Sequence, residues 1–196
     1  MTDRNQRARR VVLLLTLVRI VAAPVVMAVV LVAPVGSPAV TAAAVGFGAA
    51  ALTDFLDGRL ARRWNVTTTL GTFLDTTADK LLVAGVLIAL VAVGRTSAWI
   101  AAIIIGRELV ILALRGLVAS EGVVVRPSVW GKLKANLQFV AILLAIARLP
   151  VHVGPLYLDE WAMLAAAVVT VVSAVHYLVL FSAAFGDKAD ASGGAV

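Results

Sequence analysis

Four aspartates are the residues best placed to do chemistry. Asp54 and Asp57 precede a short basic stretch and Asp75 and Asp79 follow it, in DFLDGRLARRWNVTTTLGTFLDTTADK. Carboxylates are hard oxygen donors, which favours Mg²⁺, Mn²⁺ or Ca²⁺ over zinc or copper. Four of them can serve two ions, and paired metals about 4 Å apart suit phosphoryl chemistry. At about 100° per residue, Asp54, Asp57, Gly58, Ala61 and Arg62 fall within a face of roughly 140° on one helix. Gly71, Asp75 and Asp79 recur every four residues and form a stripe on a second helix. Gly58, Ala61 and Gly71 are small, as required where another backbone or a flat ligand must approach closely. Arg62 lies one turn beyond Gly58, where a guanidinium suits a diphosphate.

A second group of charges lies later in the chain. Arg107, Glu108 and Arg115 occur in IIIGRELVILALRG, and Lys132 and Lys134 in SVWGKLKANLQ. Together they describe a basic pocket for an anionic ligand, the simplest being a phosphorylated alcohol. Lys132 and Lys134 are two residues apart, about 200° around a regular helix, so one is free to reach lipid headgroups. Thr16 and Arg19, one turn apart, are candidates for substrate contact, and Arg19 equally for an interhelical hydrogen-bond donor. His152 and His176 are isolated and carry no assigned chemistry.

The elements that must position these groups belong in a membrane. The 196-residue chain is 62% hydrophobic with only 14% charged residues, and its mean hydropathy is +1.02. A soluble domain is nearer half apolar. An ionised carboxylate within a bilayer costs roughly 3 kcal/mol on insertion scales, so four together need cationic compensation. The net charge of +6 suits cationic loops at an anionic membrane surface rather than nucleic acid. The absence of cysteine excludes disulfides and thiolate metal sites.

Six apolar segments are long enough to span: Val11–Ala33, Ala39–Arg62, Thr72–Val93, Ala98–Val118, Ser128–Leu149 and Glu160–Phe185. The chain therefore divides into a basic segment 1–10, a six-helix all-α membrane domain 11–186 and a polar tail 187–196 expected to be disordered. The N-terminal run is longer than a signal-peptide core and is interrupted by Arg19, so it reads as a retained first helix. Arg4, Arg7, Arg9, Arg10, Arg59, Arg62, Arg63, Arg115 and Arg126 would lie on one side, against Arg95 and Arg148 on the other. That asymmetry predicts cytoplasmic N- and C-termini. Trp64, Trp99, Trp130 and Trp161 sit near segment ends, where interfacial anchors belong.

The aspartate stretch fits D-x2-D-G-x2-A-R-x8-G-x3-D-x3-D at every fixed position, from Asp54 to Asp79. On that motif the chain resembles the CDP-alcohol phosphotransferase family. The resemblance implies a six-helix membrane bundle, usually homodimeric, in the cell membrane with its site facing the cytoplasm. It implies a CDP-linked lipid, usually CDP-diacylglycerol, whose diphosphate sits on two Mg²⁺ or Mn²⁺ ions. An alcohol attacks the phosphorus that carries the lipid, and CMP leaves. Carried over by position, Asp54, Asp57 and Asp75 are metal ligands. Asp79 is the general base and touches the second metal. Asp57, Gly58, Ala61, Arg62, Gly71 and Asp75 line the CDP-lipid site.

GRELVILALR, WGKLKANLQ and ARRWNVTTTLGTFLDTTADK resemble the branch whose acceptor is sn-glycerol 3-phosphate and whose product is phosphatidylglycerophosphate. In that reading Arg107, Arg115, Lys132 and Lys134 hold the acceptor phosphate. The branch often begins N-x-P-N-x-L-T-x-x-R; RRVVLLLTLVRI keeps Leu15, Thr16 and Arg19 but lacks the Asn and Pro. Two acceptors remain alternatives within the family: inositol 1-phosphate, also an anion, and phosphatidylglycerol, used by its cardiolipin synthases. The alternative of another class is a divalent-cation channel or transporter with the aspartates as its selectivity site. An ion pathway has no evident need for Gly58, Ala61 and Arg62 in register, whereas a nucleotide site does.

Overall fold

The computed structural model describes the backbone of residues 3–64, 69–120 and 129–193, and side-chain surroundings for 14–53, 71, 73–117, 131 and 133–182. Six helices make up nearly all of it: α1 (Asp3–Val32), α2 (Pro38–Trp64), α3 (Thr69–Ala92), α4 (Ala98–Ser120), α5 (Val129–Ala147) and α6 (Leu158–Gly193). Two strands of two residues, β1 (His152–Val153) and β2 (Leu156–Tyr157), pair antiparallel between α5 and α6, a small addition to the expected all-α fold.

The helices match the apolar segments at their centres and differ at their ends. Helix α1 starts at Asp3 rather than Val11, and α6 continues to Gly193 rather than Phe185. Hydropathy sees only the apolar part of a helix; polar and charged residues with good helix propensity, such as Arg, Gln and Lys, extend one readily.

Local chemistry sets the breaks. After α1, Gly36 takes φ +77°, and Ser37 caps α2: its Oγ accepts the Val40 N–H at 3.3 Å, with Pro38 at the first helical position. Helix α3 ends in a left-handed turn at Gly94 (φ +69°), where Arg95 N–H reaches the Leu90 carbonyl and Gly94 N–H that of Val91. Ser97 then caps α4 by accepting the Trp99 N–H at 3.2 Å.

Helix α1 packs along both α2 and α3, while α5 packs against α6 and α2. The core joins Val26 and Val30 of α1, Phe47 of α2, Leu82, Val86 and Leu90 of α3, Ile104 of α4, Ile142 and Ile146 of α5, and Met163 of α6. Gly85 lets α1 come close to α3: a Cβ there would stand 2.6 Å from Met27 Sδ. Large apolar side chains also cover the outside, among them Val18, Val25, Leu81, Leu109, Val140 and Val179. A surface this apolar is suited to lipid. Leu14–Val32 and Leu158–Ser182 are long and apolar enough to cross a membrane, and Pro38–Thr53 and Leu133–Ala147 are shorter apolar helices.

Candidate active site

Helix α3 carries the chemistry. Asp75 and Asp79 lie one turn apart on it, both half-buried. Asp75 is held from α1: Arg19 Nη1 donates to its Oδ1 at 2.5 Å, and Thr16 Oγ1 approaches the same oxygen at 3.5 Å. Arg19 is only 1% exposed, so this is an interhelical tie within the packed bundle. Both contacts fall on the same carboxylate oxygen, Oδ1.

The other two aspartates stand on α2, and their side chains, with those of Gly58, Ala61, Arg62 and Lys132, lie outside the described residues. The helix bounds give only their distance along the helix. Measured from the α2–α3 connection, Asp57 and Asp75 are each about 10 Å along their helices, and Asp54 and Asp79 each about 15 Å. Counted along the chain, the two pairs are thus set back equally from the ends of their helices. Among the described residues no three acidic or imidazole groups cluster. Gly71, half-buried at the start of α3, lies one turn before Asp75.

Beyond Asp79 the bundle opens into a cavity of about 310 Å³. That is at the lower end of small-molecule sites, which run from about 300 to 1,000 Å³. Its polar wall is Asp79 and Lys80 of α3, Arg107, Glu108 and Arg115 of α4, and Lys134 and Gln138 of α5; Val83, Ile111 and Phe139 supply apolar wall. Among the described residues, four basic side chains face two carboxylates, a surplus of two positive charges.

Glu108 organises this wall. It is buried and receives cations from three helices: Lys80 of α3, Arg107 beside it on α4, and Lys134 of α5. A buried carboxylate needs this degree of pairing to remain ionised. Lys80 also reaches back to Asp79 Oδ2 at 3.4 Å, joining the aspartate site to the basic cavity. On the far side, Arg107 Nη2 donates to Ser173 Oγ of α6 at 2.8 Å, and the Arg115 guanidinium lies 5.6 Å from the centre of the Tyr177 ring.

The structure thus brings together Asp79, Arg107, Arg115 and Lys134, four of the residues singled out in the sequence. It sets Thr16 and Arg19 against Asp75. Lys134 is 4% exposed and points inward. Arg107 both faces the cavity and bonds Glu108 at 3.3 Å, although neighbours on a helix project in different directions. Lys80, Gln138 and Ser173 escaped the sequence reading. Lys80 was overshadowed by the aspartate next to it. Gln138 had a usable signal, since it stands one turn after Lys134 on the same face of α5. Ser173 is one of several hydroxyls in an apolar helix, and only the packing of α6 on α4 gives it Arg107 as a partner.

Chemically, a carboxylate at one wall of a cation-lined cavity can take a proton from a hydroxyl whose anionic end the cations hold. Known proteins point the same way. The sequence profile of the CDP-alcohol phosphatidyltransferase family matches residues 11–172. A CDP-diacylglycerol–glycerol-3-phosphate 3-phosphatidyltransferase of Bacillus subtilis (strain 168) is 36% identical over 175 residues, covering 83% of this chain and 90% of the relative. The enzyme of the same name from Escherichia coli (strain K12) is 41% identical over 184 residues, covering 90% of this chain and 96% of the relative.

Proposed function

The chain belongs to the CDP-alcohol phosphatidyltransferase family, and from that premise we propose that it makes phosphatidylglycerophosphate. The reaction is CDP-diacylglycerol plus sn-glycerol 3-phosphate giving phosphatidylglycerophosphate plus CMP, the activity for which its relatives are named. The observation that carries a phosphorylated acceptor is the cavity beside Asp79, whose two surplus positive charges among the described residues match a phosphomonoester dianion, and the relatives' names support glycerol 3-phosphate over inositol 1-phosphate.

In this reading Arg107, Arg115 and Lys134, with Lys132 at the start of α5, hold the acceptor phosphate. Its hydroxyl is directed at Asp79, which takes the proton as the oxygen attacks the phosphorus bearing diacylglycerol. The bond from that phosphorus to CMP breaks and CMP departs. Arg62, Gly58, Ala61 and Gly71 cradle the cytidine diphosphate. Arg19 and Thr16 hold Asp75 in orientation from α1. Asp54, Asp57, Asp75 and Asp79 would hold two Mg²⁺ or Mn²⁺ ions, which when bound neutralise the diphosphate and the leaving CMP.

The six helices are read as six membrane spans, with both termini and the aspartate site on the cytoplasmic side and the enzyme working as a homodimer in the cell membrane. The excess of arginine at that side supports the orientation. Because the chain has no cysteine, single cysteines introduced at Ser97 and near the C-terminus can be labelled from one side each. Labelling of both from the same side would refute the orientation.

The test of function uses purified protein with CDP-diacylglycerol, glycerol 3-phosphate and Mg²⁺. CMP release and a phosphatidylglycerophosphate product are expected, silenced by chelator and restored by Mg²⁺ or Mn²⁺. Full activity in excess chelator would exclude the metal mechanism.

A further inference from the structure

Helix α6 carries none of the residues given a role in the reaction, but it packs on α4 and touches both arginines that α4 sends to the cavity. Ser173 Oγ accepts from Arg107 Nη2 at 2.8 Å, and the Arg115 guanidinium lies over the Tyr177 ring, 5.6 Å from its centre. Ser173 and Tyr177 are both buried. They stand one turn apart on α6 and so share a face. Around them α6 reads VVSAVHYLVL, otherwise apolar but for His176.

What distinguishes these two contacts is that both partners are neutral. Arg107 is held by Glu108 on its own helix at 3.3 Å and by Ser173 from α6, so its side chain is fixed from two sides. Arg115 is exposed, and an exposed arginine has many rotamers to lose when it binds an anion. A ring that holds the guanidinium beforehand reduces that loss, and its quadrupole attracts a cation without neutralising it. The serine hydroxyl likewise accepts a hydrogen bond and brings no negative charge. A carboxylate at either place would hold the arginine as firmly but cancel the charge that a phosphate needs.

We propose that Ser173 and Tyr177 are positioning residues for the acceptor: they orient Arg107 and Arg115 for its phosphate through neutral groups, so the cavity keeps its positive charge. The inference rests on the glycerol 3-phosphate reading and adds α6 to the elements that set acceptor affinity.

The experiment measures CMP release against glycerol 3-phosphate concentration at saturating CDP-diacylglycerol and Mg²⁺, and then against CDP-diacylglycerol concentration. Ser173→Ala is expected to raise the KM for glycerol 3-phosphate by about 3- to 10-fold, and Tyr177→Leu by about 2- to 5-fold. In both, kcat and the KM for CDP-diacylglycerol should stay within about twofold of wild type. Ser173→Thr keeps the hydroxyl and Tyr177→Phe keeps the ring, so both should leave the acceptor KM near the wild-type value. In an Arg115→Ala background Tyr177→Leu should add nothing further, whereas Ser173→Ala should still add its own effect.

An unchanged acceptor KM in Ser173→Ala and Tyr177→Leu would overturn the proposal. So would an equal rise in both KM values, the mark of a general loosening of the bundle, or a full effect of Tyr177→Leu when Arg115 is already gone. Ser173→Ala removes a single oxygen, so it keeps the test decisive even where Tyr177→Leu is unstable. Wild-type protein that releases no CMP with glycerol 3-phosphate, but does so with inositol 1-phosphate, would instead overturn the acceptor assignment and this inference with it.

Discussion

The bundle has a charged cluster in each half, and the two are built on opposite rules. At one end Arg148, in the left-handed region at φ 45°, closes α5 and ties β2 and α6 to it. It donates to Asp159 at 2.7 Å and to Glu160 at 3.2 Å, with its guanidinium 3.9 Å from the centre of the Tyr157 ring. Arg95 completes this clasp by donating to the Ile146 carbonyl at 2.9 Å. Two arginines meet two carboxylates, so the cluster is neutral and already has its counter-ions. The cavity cluster, about 18 Å away along α5 from Ile146 to Lys134, carries two positive charges more than its own carboxylates cancel. Charge balanced within the fold calls for no ligand, whereas the surplus around the cavity is what the proposed acceptor phosphate would balance.

That contrast can be broken by mutation, and Asp79→Asn should have the largest effect. Turnover is expected to fall by about 10²- to 10⁴-fold with CDP-lipid binding largely intact. Unchanged turnover would remove Asp79 as the base. Next, Arg115→Ala and Lys134→Met should each raise the KM for glycerol 3-phosphate by roughly 10-fold or more, and that for CDP-diacylglycerol far less. An equal rise in both would place the cations at the nucleotide instead. Glu108→Gln should loosen Lys80 and Lys134 together, so its effect on acceptor KM combined with Lys134→Met should be well short of additive. The clasp should behave in the opposite way. Arg148→Ala is expected to lower the Tm by roughly 5 °C by leaving Asp159 unpaired, with both KM values within about twofold of wild type. A large kinetic effect there would erase the distinction between the two ends.

Most of this architecture was legible in the residues, for identifiable reasons. A long apolar run bounded by turn residues reads as a helix, so the six apolar segments reappear as the centres of six helices, and α4 begins at Ala98 in both readings. The aspartate motif is local, its eight fixed residues lying within one helix–connection–helix unit. What the sequence hid is tertiary. Nothing near Glu108 in the chain announces that Lys80 and Lys134 converge on it from two other helices. Arg19 shows the same limit: an arginine in an apolar helix demanded a partner, but only the packing of α1 on α3 identified it as Asp75.

The most direct test of the surplus-charge account is an acceptor panel. Purified protein with CDP-diacylglycerol and Mg²⁺ is offered glycerol 3-phosphate, inositol 1-phosphate, phosphatidylglycerol or uncharged glycerol, and initial CMP release is measured. The surplus charge expects release with glycerol 3-phosphate far above that with glycerol or phosphatidylglycerol, and the likeness to glycerol-3-phosphate enzymes expects little with inositol 1-phosphate. Release with glycerol as fast as with its phosphate would contradict the account, because the cavity's two extra positive charges would then have no anion to hold.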